Sequence, residues 1–345
     1  MLLSVILPVH NTAAYLPECV ESIVSQCLNP DDFEIILVEN ASSDDSLDVC
    51  KELKERYSQN HIILIHTDTA GVGNARNLGM EASQGEYIHF IDSDDWIEGG
   101  MYSSLLSENK SNADLLITGL INDYENRRIK KEAPSKLISC TNRAQISDFL
   151  LQVDNQQKVW CMNVIWNKWY KADVIRINNL KFRTDINLGE DFVFNCSFIE
   201  KIGTLKILPV AFYHYMHRGN VTLVNKFRID VLYRRPIIYH EYCSLFEHYG
   251  ILRYRKPDID WLEGKLLFGS LYTVFNVDCN LRYSEKLAFI KEICESSYFA
   301  LGFLYLKSSH SMYHKILLFL IEHKIYRLVY GMLFLRVKRR EKFFK

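Results

Sequence analysis

Proline and glycine are scarce in this 345-residue chain, at seven and fifteen residues, and no segment repeats at a fixed period. That excludes collagen-like, low-complexity and solenoid architectures. Paired cysteines are also missing. Nine cysteines are scattered with no Cys-x-x-Cys and an odd total, which suits reduced thiols in a cytosolic protein better than a disulfide framework or a zinc site. Residues 1–8 are apolar but lack a basic leader and a small-residue cleavage site, so they read as a first strand and not as a signal peptide. No charge-free run of about 18 apolar residues exists. The two longest C-terminal runs, 316–321 and 328–335, are interrupted by Glu322, His323, Lys324 and Arg327. Net charge is close to absent at −1, yet unevenly spread: residues 313–345 carry nine Lys/Arg against two acids, a local +7 that leaves −8 for residues 1–312.

What is present is apolar residues, 48% of the chain with 13% aromatics, enough for one large core or two moderate ones. Residues 4–7 are apolar and β-branched, Pro8 ends them, and residues 13–26 place Leu16, Cys19, Val20, Ile23 and Val24 at helical spacing. The unit recurs: residues 34–38 predict a second strand, and Ser42 to Asp45 a helix N-terminus before Leu47, Cys50, Leu53 and Tyr57. Residues 61–66, 73–82 and 87–91 predict a third strand, a short helix and a fourth strand. Strands alternating with helices imply an α/β fold, a mostly parallel sheet flanked by helices, with ligands bound beyond the carboxyl ends of the strands. Further helices are expected at 99–109, 142–153 and 190–199, strands at 114–119 and 204–215, and a polar surface excursion at 123–139. Beyond residue 226 the pattern is helical, so a domain over 1–225 and a helical region over 226–345 are expected.

The fourth strand runs into Asp92-Ser93-Asp94-Asp95. Three carboxylates within four residues repel one another at neutral pH, and their place at a strand end makes a divalent cation the expected partner. Asp92 and Asp94 can hold Mg²⁺ or Mn²⁺ while the ion keeps positions for a diphosphate. The competing reading has Asp94 and Asp95 capping a following helix.

Taken in order, Ser4 to Asn11, Glu34 to Asp44, Ala75-Arg76-Asn77-Leu78-Gly79, the Asp92–Asp95 cluster and Glu190-Asp191 resemble the motifs of family 2 glycosyltransferases over about the first 220 residues. The resemblance implies a GT-A fold, a nucleotide-sugar donor, a divalent metal and transfer with inversion, in the synthesis of a surface glycan. It assigns Pro8, Val9, His10 and Asn11 to the nucleoside pocket, with His10 stacking on the base where Tyr is commoner. Glu39 and Asn40 stand where two aspartates are usual; Asn40 could read uracil or cytosine by flipping its amide, and a UDP-sugar is favoured. Arg76 and Asn77 go to the diphosphate or ribose, Asp92 and Ser93 to the ribose side, and Asp94 with Asp92 to the metal. Asp191 would take the acceptor proton, with Glu190 beside it. Trp166 and Lys168 match an aromatic–Lys element that either meets the acceptor or belongs to the core. His217 and Arg218, ahead of Asn220, either reach the diphosphate or sit in a surface loop.

The expected acceptor is a glycan or lipid-linked glycan. The hydrophobic, basic tail reads either as an interfacial anchor on anionic lipid, placing a cytoplasmic enzyme on the inner face of the cell membrane, or as a helical subdomain with a solvated basic end. No nucleic-acid motif accompanies the basic residues. Two other functions compete. A haloacid-dehalogenase-like phosphatase also uses a strand followed by Asp-x-Asp, but here three strands precede Asp92 and Trp96 replaces the expected Thr or Val. A non-catalytic nucleotide-sugar-binding protein on the same fold is the other.

Overall fold

The structure is a computed structural model that describes all residues except 27, 110–111, 125–126, 154–161, 219–226 and 344–345, and the side chains of 127–131 and 340–343 also lie outside it. The four apolar runs form β1 (Leu3–Val9), β2 (Phe33–Asn40), β3 (His61–Thr67) and β4 (Tyr87–Phe90), paired in parallel as β3-β2-β1-β4. Every residue of β1, β2 and β4 is buried, as parallel strands covered on both faces require. Helices α1 (Leu16–Val24), α2 (Ser46–Arg56) and α3 (Val72–Ala82) connect them. Helix α3 lies directly on β1: a Cβ at Gly79 would stand 2.3 Å from Ile6 Cγ2.

The chain continues through β5 (Trp96–Ile97), α4 (Met101–Glu108), β6 (Leu115–Tyr124), β7 (Arg127–Glu132), β8 (Ile138–Cys140), α5 (Arg143–Gln152), β9 (Lys168–Lys171), α6 (Ala172–Ile177), α7 (Glu190–Ile199) and β10 (Leu205–His217). The sheet order extends to β9-β6-β10-β5, with β7 on β6 and β8 on β10. β9 runs antiparallel between β4 and β6, whereas β6 and β10 are parallel, so the sheet is parallel over its first four strands and mixed beyond. The polar stretch 123–139, expected as a surface excursion, instead contributes β7 and β8; both lie off the main run of the sheet, where one covered face suffices and apolar periodicity is weak. In β10 the register slips between Ile207 and Ala211, around Pro209, which has no N–H to give to a ladder.

The chain divides into two units, Met1–Arg218 and Gly219–Lys345. The second contains α8 (Val231–His248), α9 (Leu252–Ser270), α10 (Tyr283–Glu295), α11 (Ala300–Ser308), α12 (Met312–Glu322) and α13 (Tyr326–Phe343). Its core gathers Leu267, Leu271, Ile290, Phe299, Leu317 and Val329. Among the described residues no helix is long and apolar enough to cross a membrane, and no described cysteine forms a disulfide.

Candidate active site

The carboxyl ends of β1 and β2 lie side by side, and Asn11 and Ala41, both at φ 55°, turn the chain out of them. Asn11 Oδ1 accepts the Ser43 N–H at 2.8 Å and its own N–H donates to Ser42 Oγ at 3.1 Å, locking the two loops together. His10 is exposed at this rim, with Nδ1 2.8 Å from the Asn40 carbonyl oxygen. Its Nε2 lies 3.2 Å from Asn11 Nδ2, so the tautomer protonated on Nδ1 satisfies both contacts. Pro8 and Val9 are buried at the end of β1.

Glu39 and Asn40 have a different task from the one their motif suggests. Asn40 Nδ2 donates to the Val9 carbonyl at 2.9 Å and Oδ1 accepts the Gly71 N–H at 3.0 Å. Flipping the amide would oppose donor to donor and acceptor to acceptor, so this buried side chain cannot switch between bases; it braces β1, β2 and the start of α3. Glu39 is buried with both oxygens engaged, one by the Ser42 N–H at 2.7 Å and the other by His66 Nδ1 at 2.5 Å. Burial alone would raise its pKa, but the hydrogen bonds from Ser42 and His66 outweigh it and hold the carboxyl below its usual range.

Two helices entered through glycines with positive φ, α3 after Gly71 (137°) and α7 after Gly189 (93°), bring distant motifs together. Arg76, only 3% exposed, donates through Nη1 to Asp191 Oδ1 at 2.6 Å and through Nη2 to Asp92 Oδ1 at 3.1 Å. Glu190 Oε1 lies 3.5 Å from Nη1, and the Phe182 ring lies 5.3 Å from the guanidinium carbon. Burial disfavours the guanidinium charge, but Asp191, Asp92 and Glu190 together hold Arg76 firmly protonated. The arginine expected on the diphosphate or ribose is therefore occupied by carboxylates. Asn77 is likewise diverted from the donor: its amide exchanges hydrogen bonds of 2.9 and 2.8 Å with the Phe182 backbone, pinning that loop to α3.

Asp191 keeps 19% of its side chain exposed. Burial raises its pKa first, Arg76 opposes, Glu190 and Asp92 add repulsion and Lys168 attracts, leaving the carboxyl pushed up to about 7. That is the range in which a carboxylate can accept a proton at neutral pH and later release it.

The acidic cluster is divided by burial. The Asp92 N–H donates to Tyr213 Oη at 3.1 Å, and that hydroxyl donates to Asp95 Oδ2 at 2.7 Å. Asp95 Oδ1 also accepts the Met216 N–H at 2.8 Å, so this buried acid ties the loop to β10 and does not support a helix. Ser93, also buried, has its Oγ 2.9 Å from Thr12 Oγ1. Asp94 is 44% exposed, with Arg218 Nη1 3.3 Å from its Oδ2 and the Arg218 guanidinium 4.0 Å above the Tyr15 ring. Burial and neighbouring Asp92 raise the Asp94 pKa, and Arg218 opposes them.

Other expected site residues lie elsewhere. His217 stacks on Tyr124 with centroids 4.2 Å apart and meets Asn122 Oδ1 at 2.9 Å, committing its ring to β6. Trp166 is buried and stacked on Tyr213 at 4.2 Å. Lys168 is wholly buried, donating to the Val164 carbonyl at 2.5 Å and to Asn167 Oδ1 at 2.8 Å. Both belong to the core and neither offers an acceptor platform. Asn220 lies outside the described residues. Tyr213 and the buried role of Asp95 escaped the sequence reading, because the two partners lie 118 positions apart and neither stretch marks the other.

Among the described residues no three His, Cys, Asp or Glu side chains gather into a metal cage. A Mg²⁺ or Mn²⁺ ion that keeps water and phosphate ligands needs only one or two carboxylates. Asp94 and Asp92 supply hard oxygen donors whose mutual repulsion already raises the Asp94 pKa, so this donor set fits such an ion.

Residues 4–176 match the family model described as Glycosyl transferase family 2. The putative glycosyltransferase EpsH of Bacillus subtilis (strain 168) is 31% identical over 306 residues, 86% of this chain and 84% of that protein. A poly(ribitol-phosphate) beta-glucosyltransferase of Bacillus spizizenii is 28% identical over 216 residues, 63% of this chain but 32% of that protein. The crystal structure of S. aureus TarS 1–349 in complex with UDP superposes with a TM-score of 0.63 at 16% identity, covering 99% of this chain and 92% of that one, which shows a shared GT-A fold. The match also sets aside the phosphatase and the non-catalytic binding protein. This chain belongs to glycosyl transferase family 2 and is a glycosyltransferase.

Proposed function

We propose that the enzyme moves a sugar from a UDP-sugar to a hydroxyl of a glycan or lipid-linked glycan acceptor, with inversion at the anomeric carbon. The observation that carries this reading is the Arg76 fork, which joins Asp92, at the end of the donor-side strand, to Asp191, with Glu190 farther off on the same nitrogen. Asp191 takes the proton of the acceptor hydroxyl. The freed oxygen lone pair forms the bond to the anomeric carbon as the bond from that carbon to the diphosphate oxygen breaks, and the nucleoside diphosphate leaves with that electron pair. Attack opposite the leaving group inverts the centre. A carboxylate positioned in this way contributes about 10²–10⁴-fold to such a step.

The remaining residues divide around that step. His10, at the rim, offers an imidazole face to the base, over a floor of Pro8, Val9 and Asn11 braced by Glu39 and Asn40. Ser93 and Asp92 border the ribose. Asp94 and Asp92 would hold Mg²⁺ or Mn²⁺, which when bound neutralises charge on the departing diphosphate. Arg218, whose guanidinium lies 3.3 Å from Asp94, is the cation that would meet diphosphate oxygens beside the metal. Glu190 shares Arg76 with Asp191 and borders the acceptor. A uridine donor is favoured because TarS, which shares this fold, was crystallised with UDP.

Thermal stabilisation in the presence of Mn²⁺ tests the donor. UDP-sugars are expected to raise the unfolding temperature, and CDP-, GDP- and dTDP-sugars to leave it nearly unchanged. Stabilisation by guanine or thymine donors alone would overturn the uridine assignment.

A further inference from the structure

The second unit is poorly covered for its size. Of the twenty exposed large apolar or aromatic side chains among the described residues, fifteen belong to Gly219–Lys345, and the highest density is on its last two helices. On α12, Met312 (71% exposed), Ile316 (45%) and Phe319 (53%) recur at i, i+4 and i+7 and so share one stripe, while Leu317, Leu320 and Ile321 on the other side are buried in the core. On α13, Leu328 (56%) and Leu335 (59%) are seven residues apart on an outer stripe, with Val329 and Leu333 buried behind them. Helices α12 and α13 pack together and are joined by residues 323–325, so they form a hairpin with its inner face in the core and its outer face apolar.

The charges around these apolar residues identify what covers them. Exposed Lys315, Lys324, Arg327, Lys338 and Arg339 stand on the same hairpin, where Glu322 is the one acid among the described residues. This is the region whose +7 contrasts with −8 over the rest of the chain. A second copy of the chain, meeting this face through a two-fold axis, would set like charges against one another. A surface that is apolar beneath and anionic at its boundary satisfies both features. Leu328 and Phe319 stay more than half exposed, and among the described residues neither helix is long and apolar enough to span a bilayer.

We propose that the outer face of the α12–α13 hairpin docks on an anionic lipid surface. The exposed Met312, Ile316, Phe319, Leu328 and Leu335 enter the boundary between headgroups and acyl chains, and the interspersed lysines and arginines meet the lipid phosphates. Such docking would hold the enzyme at the surface where a lipid-linked acceptor resides. Because the binding is read without turnover, it stands or falls separately from sugar transfer.

The test is sedimentation of the full chain with extruded vesicles, either phosphatidylglycerol mixed with phosphatidylcholine or phosphatidylcholine alone. The wild type should partition onto the phosphatidylglycerol vesicles, less at high salt and only weakly onto phosphatidylcholine. The Ile316→Ser/Phe319→Ser/Leu328→Ser/Leu335→Ser variant, which alters only exposed positions, should bind about tenfold more weakly or less, and Lys315→Glu/Arg327→Glu/Lys338→Glu should do the same. The salt titration of the wild type needs no variant to fold. Wild type remaining in the supernatant, equal binding to phosphatidylcholine alone, or serine and glutamate variants that bind like wild type would overturn the proposal. So would a wild-type dimer that the serine variant splits without changing vesicle binding, since the face would then be a self-contact.

Discussion

Arg76 and Asp191 are 115 positions apart in sequence yet 2.6 Å apart in the fold, and the chemistry proposed for Asp191 depends on that pair and on what surrounds it. Burial raises the Asp191 pKa to about 7 against the pull of Arg76 and the smaller pull of Lys168. A base must be unprotonated to act, so kcat/KM for transfer should rise about tenfold per pH unit below 7 and level off above it. Lys168→Met removes one of the two cations that lower this pKa, so the midpoint should move to higher pH, which a pH–rate profile of the two proteins would show. A midpoint that stays put or falls would contradict the electrostatic account. The same scale shows why residue roles were only half legible. The motifs mark Arg76, Asn77, Glu39 and Asn40 as site candidates, but their side chains bond to Asp92 and Asp191, to Phe182, to His66 and Ser42, and to Val9 and Gly71, partners that no local pattern reveals.

At the scale of elements, legibility followed burial. β1 to β4 are short continuous apolar runs, as strands buried on both faces must be, so these strands are readable within a residue or two, and the periodicity of their helices shows where each lies. β9 was not, because the aromatic run around Trp166 and Trp169 reads alike as a sugar platform or as core, and only its pairing between β4 and β6 decides for core. β7 and β8 lie beside the main run of the sheet; β7 is Arg-Arg-Ile-Lys-Lys-Glu and β8 has only three residues, so neither carries an apolar pattern long enough to read. The contact of α3 with β1 offers a test. A methyl at Gly79 would lie 2.3 Å from Ile6 Cγ2, on a strand with no exposed residue to yield. Overpacking of about 1–3 kcal/mol should exceed the roughly 1 kcal/mol that alanine gains over glycine in a helix. Gly79→Ala should therefore lower the urea midpoint, whereas Gly99→Ala, which meets nothing within 4 Å, should not change it appreciably. A Gly79→Ala midpoint equal to or above wild type would refute the close packing.

Over the whole molecule, the family match and the motifs both concentrate in Met1–Arg218, where the acidic cluster, the Arg76 fork and Asp191 all reside. The second unit resembled no motif, because helices packed by generic apolar stripes leave no sequence signature of their task; its exposed stripe became visible only once burial separated inner from outer positions. Membership of the family was legible because its motifs recur in order, whereas donor and acceptor identity depend on loop surfaces that the motifs do not encode. The central claim is that one carboxylate, joined to the acidic cluster only through Arg76, activates the acceptor. Its most direct test is release of UDP from a UDP-sugar by the full chain with Mn²⁺ and an acceptor hydroxyl, wild type against Asp191→Asn, with thermal stabilisation by UDP confirming an intact donor site. The rate should fall about 10²–10⁴-fold while stabilisation by UDP is retained. A folded Asp191→Asn enzyme that binds UDP and turns over at close to the wild-type rate would contradict it.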